Sequence, residues 1–493
     1  MLSTFNTSVE IDESRFDTAV LPLGSMEPKG PHLPLGFDIM LASRFAFDLC
    51  RSKSVYLLPV FPFSAAVECR GFTGSIALGQ QTMWNVLCDL AGVLSKQGFR
   101  RLVVLDFSNF NWIVKQAVRE INMDAGLIQA VWVNPKEFAR RECSAQMLPD
   151  HGGGALETSL GLALEQVPVG SLPEDHLPER PREYIDYAGY KALAPGGYWG
   201  RPSHGDAETG KRLYRRMLEG TRDFLDYAFE LFSKGSSLAS SEGDREIDWP
   251  EEIIPGKLGG GVDWYGSWRS VAESDPGLAV IATSATEQHS PSMPLATDHL
   301  QALEISRRVA GRLDAYLLPT LPVVSSWGHI RFRGTLTFRA MTVRRILSDV
   351  FESLYEGGFR RMLLVNVHGG NWVIKPTIIE LNRRYPDARL VTTGDSFAYR
   401  GQQPVEQLHA SEGEASFIKA FYPHCLREQA LIDYSPQCPA SAFDLVGIGG
   451  VSPRGVWGFP SRSTREQGLA RVETCVEEAV VYASKVFEDL EQL

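Results

Sequence analysis

The chain has 493 residues, of which 44% are hydrophobic and 22% are charged, and its formal net charge is −11. This length favours two domains over a single core, and the negative charge argues against nucleic acid or an anionic membrane as the main partner, since both bind basic surfaces. Seven scattered cysteines, no visible signal-peptide pattern and no apolar run of membrane-spanning length lead us to expect a cytoplasmic protein with free thiols and no membrane partner.

Short apolar runs alternate with longer amphipathic segments along the chain. Six runs are predicted as buried strands: Ala19–Leu23, Val55–Pro59, Leu102–Leu105, Leu278–Ala282, Tyr316–Pro319 and Met362–Val365. Asp298–Leu313 and Val343–Tyr355 show the apolar spacing of helices. This alternation predicts an α/β fold whose mostly parallel sheets are covered on both faces. Functional side chains are expected in the loops at the carboxyl ends of such strands.

The sequence contains a long internal repeat. A shift of 260 residues turns Tyr56–Pro59 into Tyr316–Pro319 and Gly98–Arg101 into Gly358–Arg361. We therefore predict two homologous domains, a first copy at residues 1–232 and a second copy at residues 251–493. The segment 233–250 is rich in small and polar residues, which is typical of a flexible linker.

The two copies differ where chemistry is expected. The shift pairs Glu27 with Glu287, Asp38 with Asp298, Lys29 with His289, and Ser108 with His368. Only the second copy therefore has imidazoles beside its carboxylates at these positions. Such a mixture of ligands suits Zn, Mn or Fe better than Ca or Mg. On spacing alone, polar loops without a metal are an equal alternative, and Asp298 could instead cap a helix.

Three segments of the second copy resemble the motifs of the creatininase family, Glu-x-His-Gly-x-His-Leu-Pro-x-x-x-Asp, Asn-Gly-His-Gly-Gly-Asn and His-Ala-Gly-x-x-Glu-Thr-Ser. The matching residues are Glu287, His289, Pro294, Asp298, Asn366, His368, Gly369, Gly370, Asn371, His409, Ala410 and Glu414. The first copy also resembles the family, with Glu27, Gly30, His32, Leu33, Pro34, Asp38 and Glu157-Thr158-Ser159. Ser290, Ser292 and Val367 depart from the motifs, and these departures affect the shape of the pocket more than the ligands.

The resemblance implies a three-layer α/β/α sandwich for each copy and a centre of two divalent metal ions, Zn, Mn or Fe, in the second. Asp298 would bridge the ions, Glu287 and His368 would complete one, and His289 would hold the other. Some members have a glutamate ligand at the position of Gly370. Its absence makes Glu414 the candidate to support the second ion, directly or through water.

The resemblance also implies the reaction, hydrolysis of a C–N amide bond by a metal-activated water. The substrate would be a cyclic amide, a formamide or a short peptide. His409, as a general acid/base, and Glu414 are the expected catalytic residues. Residues expected to bind substrate are His329, Trp327, Gly369 and Gly370, although a structural hydrogen bond is an equal alternative for His329. A homo-oligomer, such as a trimer of intrachain pseudo-dimers, is the expected assembly.

The first copy has two readings. Lys29 could pair with Glu27 and Asp38, which would make this copy structural. Alternatively, Lys29, His32 and His151 could form a separate site for a substrate carboxylate. For the whole chain, a binding or scaffold protein derived from a duplicated hydrolase, or a hydrolase that breaks a ring C–C bond, are the alternatives to an amidohydrolase.

Overall fold

A computed structural model describes residues 1–124, 128–232, 262–393, 407–439 and 442–491. The predicted linker at 233–250 lies outside the described residues. The domain boundaries at 232 and 251 therefore stay predictions.

The first copy is built around a five-stranded sheet of order β1-β3-β2-β4-β5, in which all neighbouring strands are parallel. Its elements are β1 Leu2–Ser3, α1 Ser8–Ser14, β2 Thr18–Leu23, α2 Phe37–Cys50, β3 Tyr56–Leu57, α3 Gln80–Lys96, β4 Arg101–Asp106, α4 Ile113–Met123, β5 Gln129–Val133, α5 Lys136–Arg140, α6 Ala155–Ala163, α7 Ile185–Ala188, α8 Tyr190–Leu193 and α9 Ala207–Phe232. Every residue of β2 is buried, as expected for a central strand covered on both faces.

The second copy repeats this arrangement in a sheet of order β7-β6-β8-β9, again parallel throughout. Its elements are α10 Trp268–Ser274, β6 Ala279–Thr283, α11 Thr297–Arg312, β7 Tyr316–Leu317, α12 Ala340–Glu356, β8 Arg361–Asn366, α13 Ile374–Arg384, β9 Arg389–Thr392, α14 Glu412–Phe421, α15 Ala442–Val446, α16 Ile448–Val451 and α17 Arg465–Glu491. Asp263 bridges to Leu317 at the sheet edge, the place that β1 takes in the first copy.

The helices form two separate layers in each copy. In the first copy α2 and α6 pack on α9, whereas α3 packs on α4; in the second, α11 and α14 pack on α17, whereas α12 packs on α13. The predicted α/β fold with layered parallel sheets is therefore confirmed. The strands predicted at 55–59 and 316–319 are shorter than expected, because Pro59 and Pro319 lack the N–H that a longer ladder needs. No helix within the described ranges is long and apolar enough to cross a membrane.

The two copies exchange equivalent contacts and form an intrachain pseudo-dimer. Ala296 N donates to Thr4 O at 2.9 Å, and Gly36 N donates to Trp264 O at 3.0 Å, a pair related by the 260-residue shift. One continuous apolar cluster contains residues of both copies. The N-terminal segment therefore lies against the loop of the second copy that precedes Asp298.

Candidate metal centre

Seven buried histidine and acidic side chains meet at the carboxyl ends of the strands of the second copy. They are Glu287 and His289 after β6, Asp298 in the first turn of α11, His329 after β7, His368 after β8, His409 before α14 and Glu414 within α14. We call this set the histidine–carboxylate cluster. Its position agrees with the rule that sites in parallel sheets lie at this edge.

Local hydrogen bonds shape the turns that carry these side chains. The Asn366 side chain accepts from Thr283 Oγ1 at 3.0 Å and from Asn371 Nδ2 at 2.8 Å, and it donates to His368 O at 3.0 Å. It therefore fixes the tight turn that presents His368. The N-cap residue of α11 is Ala296, so Asp298 does not have the capping role that was its alternative to metal binding.

Three groups within the cluster have ligand atoms that all lie within 4.8 Å of one another. They are Glu287 with His329 and His368, Glu287 with His289 and His409, and His289 with Asp298 and Glu414. His368 Nε2 lies 2.9 Å from Glu287 Oε2, and His289 Nε2 lies 3.4 Å from Asp298 Oδ1 and 3.6 Å from Glu414 Oε1. The four predicted metal ligands are thus brought together, and Glu414 lies beside His289.

The free atoms of His289 and Asp298 fit a cation. His289 Nδ1 is 3.1 Å from Glu287 O and donates to it, so Nε2 is the nitrogen that can bind a cation once it loses its proton. Within the described residues, His289 Nε2 and Asp298 Oδ2 have no hydrogen-bond partner. A buried nitrogen and carboxylate oxygen without partners are costly, and a divalent transition metal would satisfy both.

Protons compete for the same nitrogens. Burial lowers the pKa of His289, but the carboxylates of Asp298 and Glu414 outweigh it and raise that pKa well above its usual value. Burial acts on His368 in the same direction, and Glu287 outweighs it, raising the pKa of His368 to about 9. Metal uptake by these side chains would therefore release protons.

Gln288 connects the two remaining imidazoles, and its amide orientation is fixed. Its Oε1 accepts from Ser290 N at 3.0 Å, and its Nε2 donates to Gly455 O at 3.2 Å. The same Nε2 lies 3.0 Å from His409 Nε2 and 3.2 Å from His329 Nδ1. It has one hydrogen left, and only one of these two nitrogens can accept it.

The backbone of Gln288 decides which imidazole accepts. His409 Nε2 lies 2.8 Å from Gln288 O, so it must donate there and carries the proton. The amide therefore donates to His329 Nδ1, which puts the proton of His329 on Nε2, 3.4 Å from Glu287 Oε1. His409 Nδ1 is left with a lone pair on the side of Glu287, 3.8 Å away. Burial and the His289 charge lower the pKa of His409 to about 4, so this imidazole is neutral.

Trp327 and His329 share one turn after β7 but make different contacts. Trp327 donates from Nε1 to Phe338 O at 3.1 Å, and its ring faces Lys96 of the first copy at 5.6 Å. The centroid of the His329 ring lies 4.4 Å from that of His409, with the rings tilted by 57°, inside the histidine–carboxylate cluster. The structure thus brings His329 into the cluster and places the contacts of Trp327 elsewhere.

The two glycines after His368 differ in the space around them. A Cβ at Gly370 would lie 2.5 Å from His368 Cε1 and 2.6 Å from Ser325 O, whereas a Cβ at Gly369 would meet none of the described atoms within 4 Å. Gly370 therefore lets the His368 ring fold back against the backbone. A glutamate ligand at this position would displace that ring.

In the first copy, two lysines stand among the corresponding carboxylates. Lys29 Nζ lies 3.2 Å from Glu27, 3.0 Å from Asp38 and 3.1 Å from Glu157. Lys136 Nζ lies 3.1 Å from Asp38 and 2.7 Å from Glu157. Both lysine side chains are fully buried. We call these five residues the lysine cluster.

Both ammonium groups of the lysine cluster are paired with its three carboxylates. Burial lowers the pKa of Lys29, but Asp38, Glu157 and Glu27 outweigh it and hold that pKa well above its usual value. Ser108, at the position of His368, donates to Glu27. Three carboxylates lie within 3.2 Å of the buried Lys29 ammonium, which argues against a role in binding a substrate carboxylate. Buried ammonium groups thus stand where cations are expected in the second copy.

Two residues in or beside these clusters were not predicted from the sequence. Lys136 follows β5, and position 396, its partner under the 260-residue shift, lies outside the described residues. Gln288 lies between two motif residues at a position that the family motif leaves open. Its place directly between two expected ligands, where the first copy has Pro28, was the available signal.

Comparison with known protein families finds one match that spans both copies. The model of the creatininase family, described as creatinine amidohydrolase, matches residues 5–225 and 266–482.

Relatives of known function are similar to part of the chain. A mycofactocin precursor peptide peptidase of Mycobacterium ulcerans is 26% identical over 214 residues, which are 41% of this chain and 82% of that protein. A creatinine amidohydrolase of Pseudomonas putida is 25% identical over 242 residues, 44% of this chain and 92% of the relative. A 3-dehydro-scyllo-inosose hydrolase of Thermotoga maritima is 23% identical over 244 residues, 43% and 77% of the two chains.

Solved structures are similar over about half of the chain. A crystal structure of creatinine amidohydrolase (creatininase) has a TM-score of 0.39 and 22% identity, covering 45% of this chain and 95% of that one. A structure described as creatininase with Mn has a TM-score of 0.41 and 21% identity, covering 47% and 99%.

Proposed function

The chain belongs to the creatininase family, whose model spans both copies, and from this premise we propose that its second copy is a metal-dependent amidohydrolase. The observation that carries the proposal is the buried pair of His289 Nε2 and Asp298 Oδ2, which have no hydrogen-bond partner among the described residues and lie beside Glu287, His368 and Glu414. The first copy, with lysines among its carboxylates, is proposed to be a structural partner without a metal site.

We assign Glu287, His289, Asp298 and His368 as the ligands of two divalent ions, Zn, Mn or Fe, with Glu414 as a further ligand or support. When bound, such ions supply an acidified water and polarise a substrate carbonyl. The first-copy site is proposed to lack this capacity because the ammonium groups of Lys29 and Lys136 already pair with its carboxylates.

His409 is the proposed proton carrier. Its Nδ1 has a lone pair facing the cluster, and its Nε2 is held by Gln288 O at 2.8 Å. This tautomer takes a proton from the attacking water at Nδ1 and returns it to the leaving nitrogen from the same atom. General acid/base catalysis of this kind is worth about 10²–10⁴-fold in rate. Hydrolysis then consumes one water and yields a carboxylate and an amine.

The relatives support a small or flexible amide as substrate. One is named for creatinine, a cyclic amide, and another for a precursor peptide. We therefore propose a cyclic amide, a formamide or a short peptide. Hydrolysis of a ring C–C bond is the second candidate, because a relative is named as a hydrolase of 3-dehydro-scyllo-inosose. His329 and the open backbone at Gly369 are the groups proposed to face the substrate, with Gly370 and Trp327 at the border.

The proposal is tested by turnover of the metal-loaded full chain on creatinine, N-formylated amines, short peptides and a cyclic polyol ketone. Activity that His368→Ala abolishes and Ser108→Ala leaves intact would support it, because the two residues occupy equivalent positions. Turnover of the ketone alone would favour C–C hydrolysis. A chain that binds these compounds without turnover in the presence of metal would identify a scaffold.

Assembly and location stay predictions. We propose a homo-oligomer of pseudo-dimers, and a trimer would have about three times the chain mass of 54.7 kDa in solution. A cytoplasmic location agrees with the free cysteines among the described residues.

A further inference from the structure

We propose that Gln97 in the first copy is a positioning residue for the metal ligands of the second copy, and this inference rests on the proposed metal centre. The contact runs through one tight turn, Gly334–Thr335, between the two copies. It gives the copy without a metal site a defined part in the function of the other.

The side-chain amide of Gln97 forms two hydrogen bonds with this turn. Gln97 Oε1 accepts from Gly334 N at 2.8 Å, and Gln97 Nε2 donates to Thr335 O at 2.7 Å. Thr335 Oγ1 in turn accepts from Gln288 N at 3.1 Å. Thr335 and Gln288 are fully buried, and Gln288 lies directly between Glu287 and His289. A displacement of the turn therefore moves the backbone that carries two proposed ligands.

Other groups of the first copy hold the same turn. Tyr56 Oη donates to Gly334 O at 2.8 Å, and Gly334 has a φ of +91°, which only glycine adopts without strain. Arg333 donates to Ile11 O at 3.3 Å and lies over the Phe99 ring at 4.4 Å. The first copy thus supplies most of the polar contacts of this turn.

The second copy makes a contact to the first that is equivalent to the Tyr56 contact, but it has no counterpart of the Gln97 contact at the equivalent position. Tyr316 Oη donates to Gly74 O at 3.1 Å, as the symmetry of the pseudo-dimer requires. The 260-residue shift, however, places Gly357 opposite Gln97, and a glycine has no side chain to bond with.

The next step of the contact is also absent from the first copy. Pro28 occupies the position of Gln288 and has no N–H to donate. Ser75, opposite Thr335, donates to Met26 O at 2.9 Å instead. Among the described residues, the route from a glutamine amide through the turn to the ligand loop therefore runs only toward the copy with imidazoles.

The test compares Gln97→Met with Gln81→Met in the full chain. Methionine has a similar length and removes both hydrogen bonds of Gln97. Gln81 is exposed in α3, the helix that ends directly before Gln97, and bonds to Asn85. Affinity for Zn²⁺ or Mn²⁺ is measured by competition with a chelator, together with kcat, KM and the unfolding midpoint of the metal-free chain. We expect Gln97→Met to bind metal about tenfold more weakly, the lower end for residues that orient ligands, and excess metal to restore kcat.

A second pair of variants tests the route itself. Thr335→Val removes the hydroxyl that holds Gln288 N and should weaken metal binding, whereas Thr335→Ser keeps the hydroxyl and should bind as the wild type does. The double variant Gln97→Met/Thr335→Val should lose less metal affinity than the product of the two single losses, because both changes act on one route.

Three results would overturn the inference: unchanged metal affinity in Gln97→Met, a loss that Gln81→Met shares, or fully multiplicative effects of the two variants. A wild-type chain that binds no metal would overturn the proposed function itself. That outcome can be told apart from failure of the Gln97 inference, because it is seen in the wild type alone.

Discussion

Replacing Lys29 by methionine is the sharpest perturbation of the first copy. The ammonium is fully buried and lies 3.0–3.2 Å from the carboxylates of Asp38, Glu157 and Glu27. Methionine fills similar space but removes the ammonium shared by all three carboxylates, whereas Lys136 still pairs with Asp38 and Glu157. Removing one partner of a buried ion pair costs about 3–5 kcal/mol. We therefore expect Lys29→Met to lower the free energy of unfolding by about that amount at pH 7, as measured by urea denaturation.

The stability difference between the wild type and Lys29→Met should depend on pH. In the wild type, burial raises the pKa of Glu157, but Lys136 and Lys29 outweigh it and hold that pKa well below its usual value. Its contribution to stability is therefore present above about pH 4.5 and is lost only as the pH falls toward the lower folded value. In the variant, burial dominates and the folded carboxylates gain protons as the pH falls from 7 to 5. The difference between the two proteins should narrow over this range.

Lys211→Met is the matched control, because this exposed lysine pairs with Glu208 on its own helix. We expect no measurable change in its urea midpoint. Two results would refute this prediction: a Lys29→Met chain as stable as the wild type at pH 7, or a stability difference between the two proteins that widens toward pH 5.

Three further predictions concern individual side chains. His409→Ala should lower kcat by about 10²–10⁴-fold while metal content stays unchanged, as shown by turnover and metal analysis of one preparation; equal loss of metal would make His409 a ligand instead. Gly370→Ala should weaken metal binding by about tenfold or more, because its Cβ would lie 2.5 Å from His368 Cε1, whereas Gly369→Ala, with open space around it, should bind normally. Burial raises the pKa of Asp106 to about 7. The folded state therefore binds a proton that the unfolded state does not, and the free energy of unfolding falls as the pH rises from about 4 to 7. Asp106→Asn should remove this pH dependence, measured by urea denaturation, and an unchanged dependence would show that another group titrates.

Much of the fold could be predicted because its signals are local. Apolar runs such as Met362–Val365 form the core of β8, and Asp298–Leu313 differs from α11 by one residue at each end. The 260-residue shift also paired positions correctly, since Tyr56 and Tyr316 make equivalent contacts between the copies. Periodicity and repetition are properties of the chain itself and need no knowledge of tertiary contacts.

The missed residues act across long sequence separations. Lys136 meets Asp38 from 98 positions away, and Gln97 meets Thr335 from 238 positions away. Neither belongs to a motif, and a lysine or glutamine near the end of an element is ordinarily solvated. The partner of Lys136 is set by packing within the first copy, and the partner of Gln97 by the packing of one copy on the other. Spacing along the chain reports neither. Gln288 was missed for another reason. Its hydrogen bonds depend on which nitrogens of His329 and His409 carry protons, and the sequence does not report this.

The most direct test of the account is the metal content of the purified full chain after saturation and removal of free ions, measured beside its His368→Ala and Ser108→Ala variants. We predict two equivalents of divalent transition metal per chain, a clear loss in His368→Ala and no change in Ser108→Ala. A chain that takes up no metal, or one that loses metal with Ser108→Ala and keeps it with His368→Ala, would contradict the placement of the metal centre in the second copy.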